Sequence, residues 1–186
     1  MLFRITASFW LLAAAYGATP RPLADVPIQT ADIRKIDLKQ YRGKVVLLAL
    51  ISTECIHCVQ SIEILNRAQK DFGPRGFQVI SAAIEENAAY KIGAFASRYR
   101  PAFPLGYLDR ESAIKIADIP KDMRPFVPIL MFIDRKGTVR YQFHGDHQVM
   151  RQEKQEEQTI RGIAGRLLTE GSEKSAPKAQ ATAKRQ

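Results

Sequence analysis

Cysteine is scarce in this chain of 186 residues, which contains only Cys55 and Cys58. A secreted domain held together by disulfides usually has several cysteines spread along its length. Two cysteines three positions apart can bridge only each other, and so short a loop adds little stability. The pair therefore indicates redox chemistry, and a purely structural disulfide is the alternative.

Long hydrophobic runs are also missing. The apolar stretch near the N-terminus, residues 5–18, has only fourteen residues, whereas a membrane-spanning helix needs about 20. Arg4 before this stretch and the small residues around Ala15 and Gly17 are typical of a secretory leader. We expect residues 1–18 to be a signal peptide or short anchor, 19–168 one domain and 169–186 a disordered basic tail. The predicted location is periplasmic or secreted.

Histidine is rare as well, with three in the chain, and the 28 basic residues are scattered without interleaved aromatic residues. Nucleic-acid-binding proteins concentrate their basic residues on one face, so no nucleic-acid partner is expected. Zinc or copper binding by Cys55, Cys58, His144 and His147 is an alternative, because these residue types are metal ligands. The long interval between the two pairs fits no compact metal module, so neither a metal nor a cofactor is predicted.

Alternating strand and helix patterns run through the domain. Apolar runs and helical periodicity predict strands at 45–51, 77–84, 103–108, 129–133 and 138–143, and helices at 55–71, 88–99, 112–117 and 149–168. This order predicts an α/β fold with a mixed sheet covered by helices on both faces. The first two of these strands should be parallel. The polar segment 151–158 is expected to face solvent.

Cys55 lies where the first buried strand gives way to a helix. The free N–H groups and the dipole at a helix N-terminus stabilise an anion, so they favour the thiolate that attacks disulfides. Cys58 lies one turn further along the helix and is expected to be less accessible. We therefore expect Cys55 to attack and Cys58 to resolve. In this strand-to-helix context, the C-x-x-C spacing is a strong sign of a redox dithiol.

Four neighbours of the dithiol are candidate site residues. His57 would favour the ionised, reduced form, whereas the carboxylate of Glu54 would oppose it. Val127-Pro128 precedes a strand, and a cis bond there would expose backbone groups to an extended substrate. The following hairpin should bring residues 143–145 near Pro128.

A peroxidase is a further alternative. Ser52 fits the Pro-x-x-x-Thr/Ser-x-x-Cys pattern of a peroxidatic cysteine at Cys55. Leu48, however, occupies the proline position of that pattern, which argues against peroxide chemistry.

Four segments carry a family resemblance: 41–48, 55–58, Pro128 and 132–137. With them, the chain from about Asp25 to Leu168 resembles the thioredoxin superfamily, and within it the TlpA/ResA-like extracytoplasmic branch. The resemblance implies a thioredoxin-like fold with an N-terminal extension and that branch's insertion, here residues 85–118. It also implies that Cys55 is the nucleophile, Cys58 the resolving thiol and Pro128 a cis-proline.

Three positions depart from the family pattern. Glu54 replaces the usual tryptophan, Ser61 replaces the glutamate of ResA-like members, and Ala49 aligns with the buried acid of cytoplasmic thioredoxins. Two candidate proton shuttles are therefore missing. His57 resembles the histidine in C-P-H-C of DsbA and C-G-H-C of protein disulfide isomerase, which favours oxidation or isomerisation.

The resemblance implies a thiol–disulfide oxidoreductase. We expect a reductase of exported proteins, with a role in cytochrome c maturation, that exchanges electrons with a membrane or soluble partner. A disulfide oxidase or isomerase is the alternative direction.

Overall fold

An eight-stranded sheet forms the centre of the computed structural model, within the residues that the structure describes, 18–172. The strands are Arg21–Pro22 (β1), Ile28–Gln29 (β2), Lys35–Ile36 (β3), Val45–Ile51 (β4), Phe77–Ala83 (β5), Leu105–Tyr107 (β6), Ile129–Ile133 (β7) and Thr138–Phe143 (β8). The helices are Ile56–Phe72 (α1), Ala88–Tyr99 (α2), Arg110–Ala117 (α3) and Glu153–Ser172 (α4).

The sheet is mixed, as the element order predicts. Its strands follow the order β1-β8-β7-β4-β5-β6-β2-β3. β4 pairs in parallel with β5 and antiparallel with β7, which forms a hairpin with β8. All seven residues of β4 are buried, because helices or the N-terminal segment cover both of its faces. The predicted mixed sheet, with helices on both faces, is confirmed.

Two hydrophobic cores lie on opposite faces of the sheet. Side chains alternate along a strand, so Leu47 and Ile51 of β4 pack with α1, α2 and α4 on one face. Leu48 and Leu50 pack with α3 and the N-terminal segment on the other. The end of β4 lies in the first core and is followed closely by α1. Cys55 immediately precedes α1, and Cys58 lies in its first turn.

The C-terminal helix differs from its predicted bounds. Residues 148–151 form a 3-10 turn capped by His147, so α4 begins at Glu153 instead of Val149. α4 continues to Ser172, so the first residues of the predicted tail are helical. The remainder of that tail, and residues 1–17 of the predicted leader, lie outside the described residues. Among residues 18–172, no helix combines the length and apolar character needed to cross a bilayer.

The prediction that segment 151–158 faces solvent is wrong at one position. Most of its side chains are exposed, but Glu156 is only 4% exposed. Glu156 lies four residues before Ile160, so it shares the helix face that also carries Ile163 and Leu167. That face packs on α1, and the helix buries its glutamate along with its apolar residues.

Candidate dithiol site

Cys55 caps the N-terminus of α1. Its backbone is extended, with φ −89° and ψ 117°, and its Sγ accepts a hydrogen bond from the Cys58 N–H at 3.3 Å. The first N–H groups of a helix lack partners within the helix, so a capping acceptor stabilises this end. Cys55 is partly exposed. The accessible sulfur, Cys55 Sγ, therefore has a backbone N–H donor that can stabilise its thiolate form.

Cys58 lies behind Cys55 and has no exposed surface. The Ser52 N–H donates to its Sγ at 3.5 Å. Burial, followed by the hydrogen bond with Cys55, raises the pKa of the Cys58 thiol well above its ordinary value. The negative charge of Glu156 adds to this increase. The two sulfurs therefore differ in the way that the sequence predicts, since one is accessible and the other is buried.

The two predicted tuning residues, Glu54 and His57, are both exposed. The Glu54 carboxylate accepts a hydrogen bond from Lys91 Nζ at 2.7 Å, and the ion pair offsets part of its charge near Cys55. Exposed charges interact weakly because water screens them. Neither residue supplies a buried charge to the dithiol.

The loop around Val127 and Pro128 approaches the dithiol from the other side. The Val127–Pro128 peptide bond is cis. The Val127 carbonyl oxygen lies 3.9 Å from Cys55 Sγ, a long contact. The Gly145 N–H donates to the Phe126 carbonyl at 2.7 Å, so the turn after β8 packs against this loop, as the hairpin predicts.

Gly145→Ala should displace the loop that carries Pro128. A Cβ at Gly145 would lie 2.3 Å from the Val127 carbonyl oxygen and 2.6 Å from its carbon. Both atoms are backbone and cannot rotate away. We expect a loss of about 1–3 kcal/mol in unfolding free energy, as for other overpacked sites, and slower reaction of Cys55 with a disulfide. Chemical unfolding and thiol-exchange rates measure the two effects.

Gly162→Ala on α4 is the matched control. A Cβ there meets nothing within 4 Å, so a gain of roughly 0.5–1 kcal/mol is expected from helix propensity. A Gly145→Ala protein with unchanged stability and exchange rate would show that this close packing is dispensable.

His144 and His147 have partners outside the dithiol. His144 Nε2 lies 3.0 Å from Gln142 Nε2, and burial lowers the pKa of His144. His147 Nδ1 accepts from the Val149 N–H. Among residues 18–172, no group of three or more His, Cys, Asp or Glu side chains could hold a metal ion. The described part of the chain therefore does not assemble the alternative zinc or copper site.

A groove of about 840 Å³ opens beside the dithiol. Ser52, which precedes the cysteines, and Val127 both line it. Two large apolar side chains adjoin the same site: Ile56 is 66% exposed and Phe126 is 52% exposed. Ile56 follows Cys55 in the chain and Phe126 precedes Val127, so both exposed apolar residues lie next to residues that form the Cys55–Val127 contact.

Glu156 is a site residue that the sequence pattern does not predict. Burial raises the pKa of its carboxyl to about 7. Side-chain hydrogen bonding with Ser61 lowers this pKa, and the negative charge of Glu153 raises it. The Ser61 hydroxyl itself donates to the His57 carbonyl at 3.0 Å. The one available signal was spacing, because Glu156 continues the apolar series of Ile160, Ile163 and Leu167 along one face of the helix.

Comparison with known proteins places the chain in a family. The model of the AhpC/TSA family matches residues 20–142, which include both cysteines and Pro128. The chain belongs to the AhpC/TSA family. Among curated proteins, it is 32% identical over 108 residues to glutathione peroxidase 7 of Bos taurus, which covers 53% of this chain and 58% of the relative. The chain thus matches little more than half the length of the curated relatives it resembles.

Solved structures show the same fold. A thiol:disulfide interchange protein of the thioredoxin family from Chlorobium tepidum TLS superposes with a TM-score of 0.64 at 20% identity, over 81% of this chain and 98% of that one. A thiol:disulfide interchange protein from Bacteroides sp. gives 0.61 at 13% identity, over 80% and 91%. The predicted thioredoxin-like fold of this AhpC/TSA protein is confirmed, and the comparisons support an oxidoreductase.

Proposed function

We propose that this AhpC/TSA-family protein is a thiol–disulfide oxidoreductase that exchanges disulfides with exported proteins through Cys55 and Cys58. The observation that carries the proposal is the asymmetry of the two sulfurs. Cys55 is partly exposed and accepts a helix N–H, whereas Cys58 is buried directly behind it. One sulfur is placed to attack a substrate, and the other to displace it.

The two thiols form and break all the sulfur–sulfur bonds of the reaction. The Cys55 thiolate attacks one sulfur of the substrate disulfide, and the other substrate sulfur leaves as a thiolate. Cys58 then loses its proton and attacks Cys55 Sγ. The second substrate sulfur leaves, and a Cys55–Cys58 disulfide remains. The substrate gains two electrons and the protein loses them, so a separate electron donor must reduce the protein again.

The surface around the dithiol favours a protein substrate. The backbone of Val127 beside the cis-proline can pair with an extended segment, as an added strand would. Ile56 and Phe126 offer apolar contact close by, and the adjoining groove leaves room for the rest of the segment. We propose Val127 and Pro128 as substrate-binding residues on this basis.

The surroundings of Cys55 favour the reducing direction. A disulfide is strongly oxidising when the protein stabilises the reduced thiolate. Cys55 Sγ has backbone hydrogen-bond partners at 3.3 and 3.9 Å, and its side-chain partner is the uncharged Cys58 thiol. His57 is exposed and Glu54 carries the opposite charge, so little side-chain charge stabilises the thiolate.

The reduction potential tests the direction. After equilibration of the protein in glutathione buffers, we expect a potential near that of thioredoxin, about −270 mV. Exchanging His57 for alanine should change it little, because the ring is exposed. A potential of about −120 to −180 mV, moved strongly by the His57 variant, would instead assign the protein as an oxidase or isomerase.

The proposed location is outside the cytoplasm. It rests on the leader-like segment 1–18 and on the resemblance to extracytoplasmic thioredoxins. Exported apocytochromes, whose haem-attachment cysteines must be reduced, are the substrate class that such a reductase would serve in cytochrome c maturation. Fractionation of cells that express the full chain tests the location.

Peroxide reduction is a second candidate, because the curated relatives are glutathione peroxidases. In that case Cys55 would attack one peroxide oxygen, the O–O bond would break with release of water or an alcohol, and a sulfenic acid would form. Cys58 would then condense with the sulfenic acid to form a disulfide and release water. The two candidates differ in the preferred oxidant. Faster oxidation of the dithiol by hydrogen peroxide than by an equal concentration of a protein disulfide would favour the peroxidase.

A further inference from the structure

We infer that the Glu156 carboxylate accepts the proton of the Cys58 thiol when Cys58 resolves the mixed disulfide. This inference rests on the proposed dithiol exchange and assigns a new residue to it. Glu156 lies on the face of α4 that packs against α1, and α1 carries the buried Cys58.

The burial of Glu156 is the first argument. The side chain is only 4% exposed, and its Oε1 has no hydrogen-bond partner among residues 18–172. A buried carboxyl without full hydrogen bonding is costly, and an apolar residue of similar size would pack at lower cost. A group of this kind is typical of functional sites.

Cys58 also needs a base that removes the proton of its thiol. Its thiol has no exposed surface, so bulk water cannot readily take its proton. Its pKa is raised by burial and by the hydrogen bond with Cys55. Since only the thiolate attacks a disulfide, resolution requires a nearby proton acceptor. The carboxylate of Glu156 interacts electrostatically with this thiol.

The proton balance of the resolving step is complete. The proton moves from Cys58 Sγ to Glu156, and the Cys58 sulfur forms a bond with Cys55 Sγ. The bond between Cys55 and the substrate sulfur breaks, and its electron pair leaves with the substrate thiolate. Glu156 returns its proton to the leaving thiolate or to solvent. In the reverse direction, protonated Glu156 supplies the proton to Cys58.

The electrostatic surroundings suit this role. The pKa of Glu156 near 7 means that both of its forms are populated at neutral pH, which is the best range for a general acid–base group. The titratable groups that act on it are Cys58 on α1 and Glu153 on its own helix. β4, which packs beneath this face, contributes only apolar side chains.

The test follows the two steps of exchange with 5,5′-dithiobis(2-nitrobenzoate). The first chromophore is released when Cys55 attacks the reagent, and the second when Cys58 resolves the adduct. Glu156→Gln should slow the second phase at least about a hundredfold near pH 7, at the low end of general-base effects. It should leave the first phase nearly unchanged. Glu63→Gln, an exposed change on α1, is the matched control.

The pH profile of the full-length wild-type protein provides an independent reading. The rate of its second phase should rise through an inflection near pH 7, and Glu156→Gln should remove that inflection. A normal first phase with a second phase that Glu156→Gln leaves unchanged would overturn the inference. A wild-type profile without the inflection would do the same, even if the variant failed to fold. Loss of the first phase in the wild type would instead contradict the proposed dithiol function.

Discussion

Replacing Cys55 with serine should abolish the reduction of a protein disulfide such as insulin. A serine hydroxyl at this position does not ionise near neutral pH and forms no mixed disulfide. The helix N-cap should survive the change, because serine is a preferred N-cap residue. The loss should therefore occur in a folded protein, as a melting curve can verify. Turbidity of precipitating insulin in the presence of dithiothreitol measures the activity.

Cys58→Ser is the partner variant and should fail in a different way. Cys55 would still attack, so the variant should accumulate a mixed disulfide that mass spectrometry detects. Insulin reduction that persists in Cys55→Ser would contradict the proposed role of this residue. A Cys58→Ser protein in which hydrogen peroxide oxidises Cys55 to a sulfenic acid faster than a protein disulfide forms the mixed disulfide would favour the peroxidase candidate.

The stability of the protein should fall as the pH rises from about 5 to 8, and Glu156 should cause much of the fall. Its pKa is about 7 in the folded protein against an ordinary value of 4.5. Below about pH 4.5 the carboxyl is protonated in both the folded and unfolded states and has no effect. Between the two pKa values only the unfolded chain ionises, so stability decreases. Above about pH 7 the full cost remains, about 3 kcal/mol in unfolding free energy.

Glu156→Gln isolates this contribution. The amide has nearly the same shape and cannot ionise, so the variant should be more stable than the wild type at pH 8 and similar to it near pH 4.5. Denaturant unfolding at the two pH values measures the difference, and the exposed change Glu63→Gln should follow the wild type. Equal pH dependence in the wild type and Glu156→Gln would show that the carboxyl ionises freely in the folded state.

Most of the fold could be predicted because its signals are local. The apolar run of β4 and the helical periodicity of α1 each lie within one short segment, and the structure places both as predicted. The hairpin of β7 and β8 has a turn signal of its own at 134–137. Cys55 and Cys58 were predictable for the same reason, since strand, cysteines and helix follow one another directly.

Glu156 could not be predicted as a site residue because its role depends on packing between distant segments. In sequence it belongs to a run of polar residues that is exposed almost throughout. Only the docking of α4 on α1 makes it a buried neighbour of Cys58. Ala49 and Ser61 occupy positions where members of the resembled family carry an acid. In this chain the acid lies on α4 instead, so an alignment of single positions does not reveal it.

The docking of α4 also bears on when Cys58 becomes buried during synthesis of the chain. α1 is made early in synthesis, whereas Glu153–Ser172 is the last helix of the described chain. A chain that has emerged only as far as β8 has both thiols and the Pro128 loop, but it lacks the helix that shields Cys58 from behind. We expect such a chain to leave Cys58 more accessible and more open to mispairing with other thiols. The full contrast between an attacking and a protected sulfur should then depend on the docking of α4.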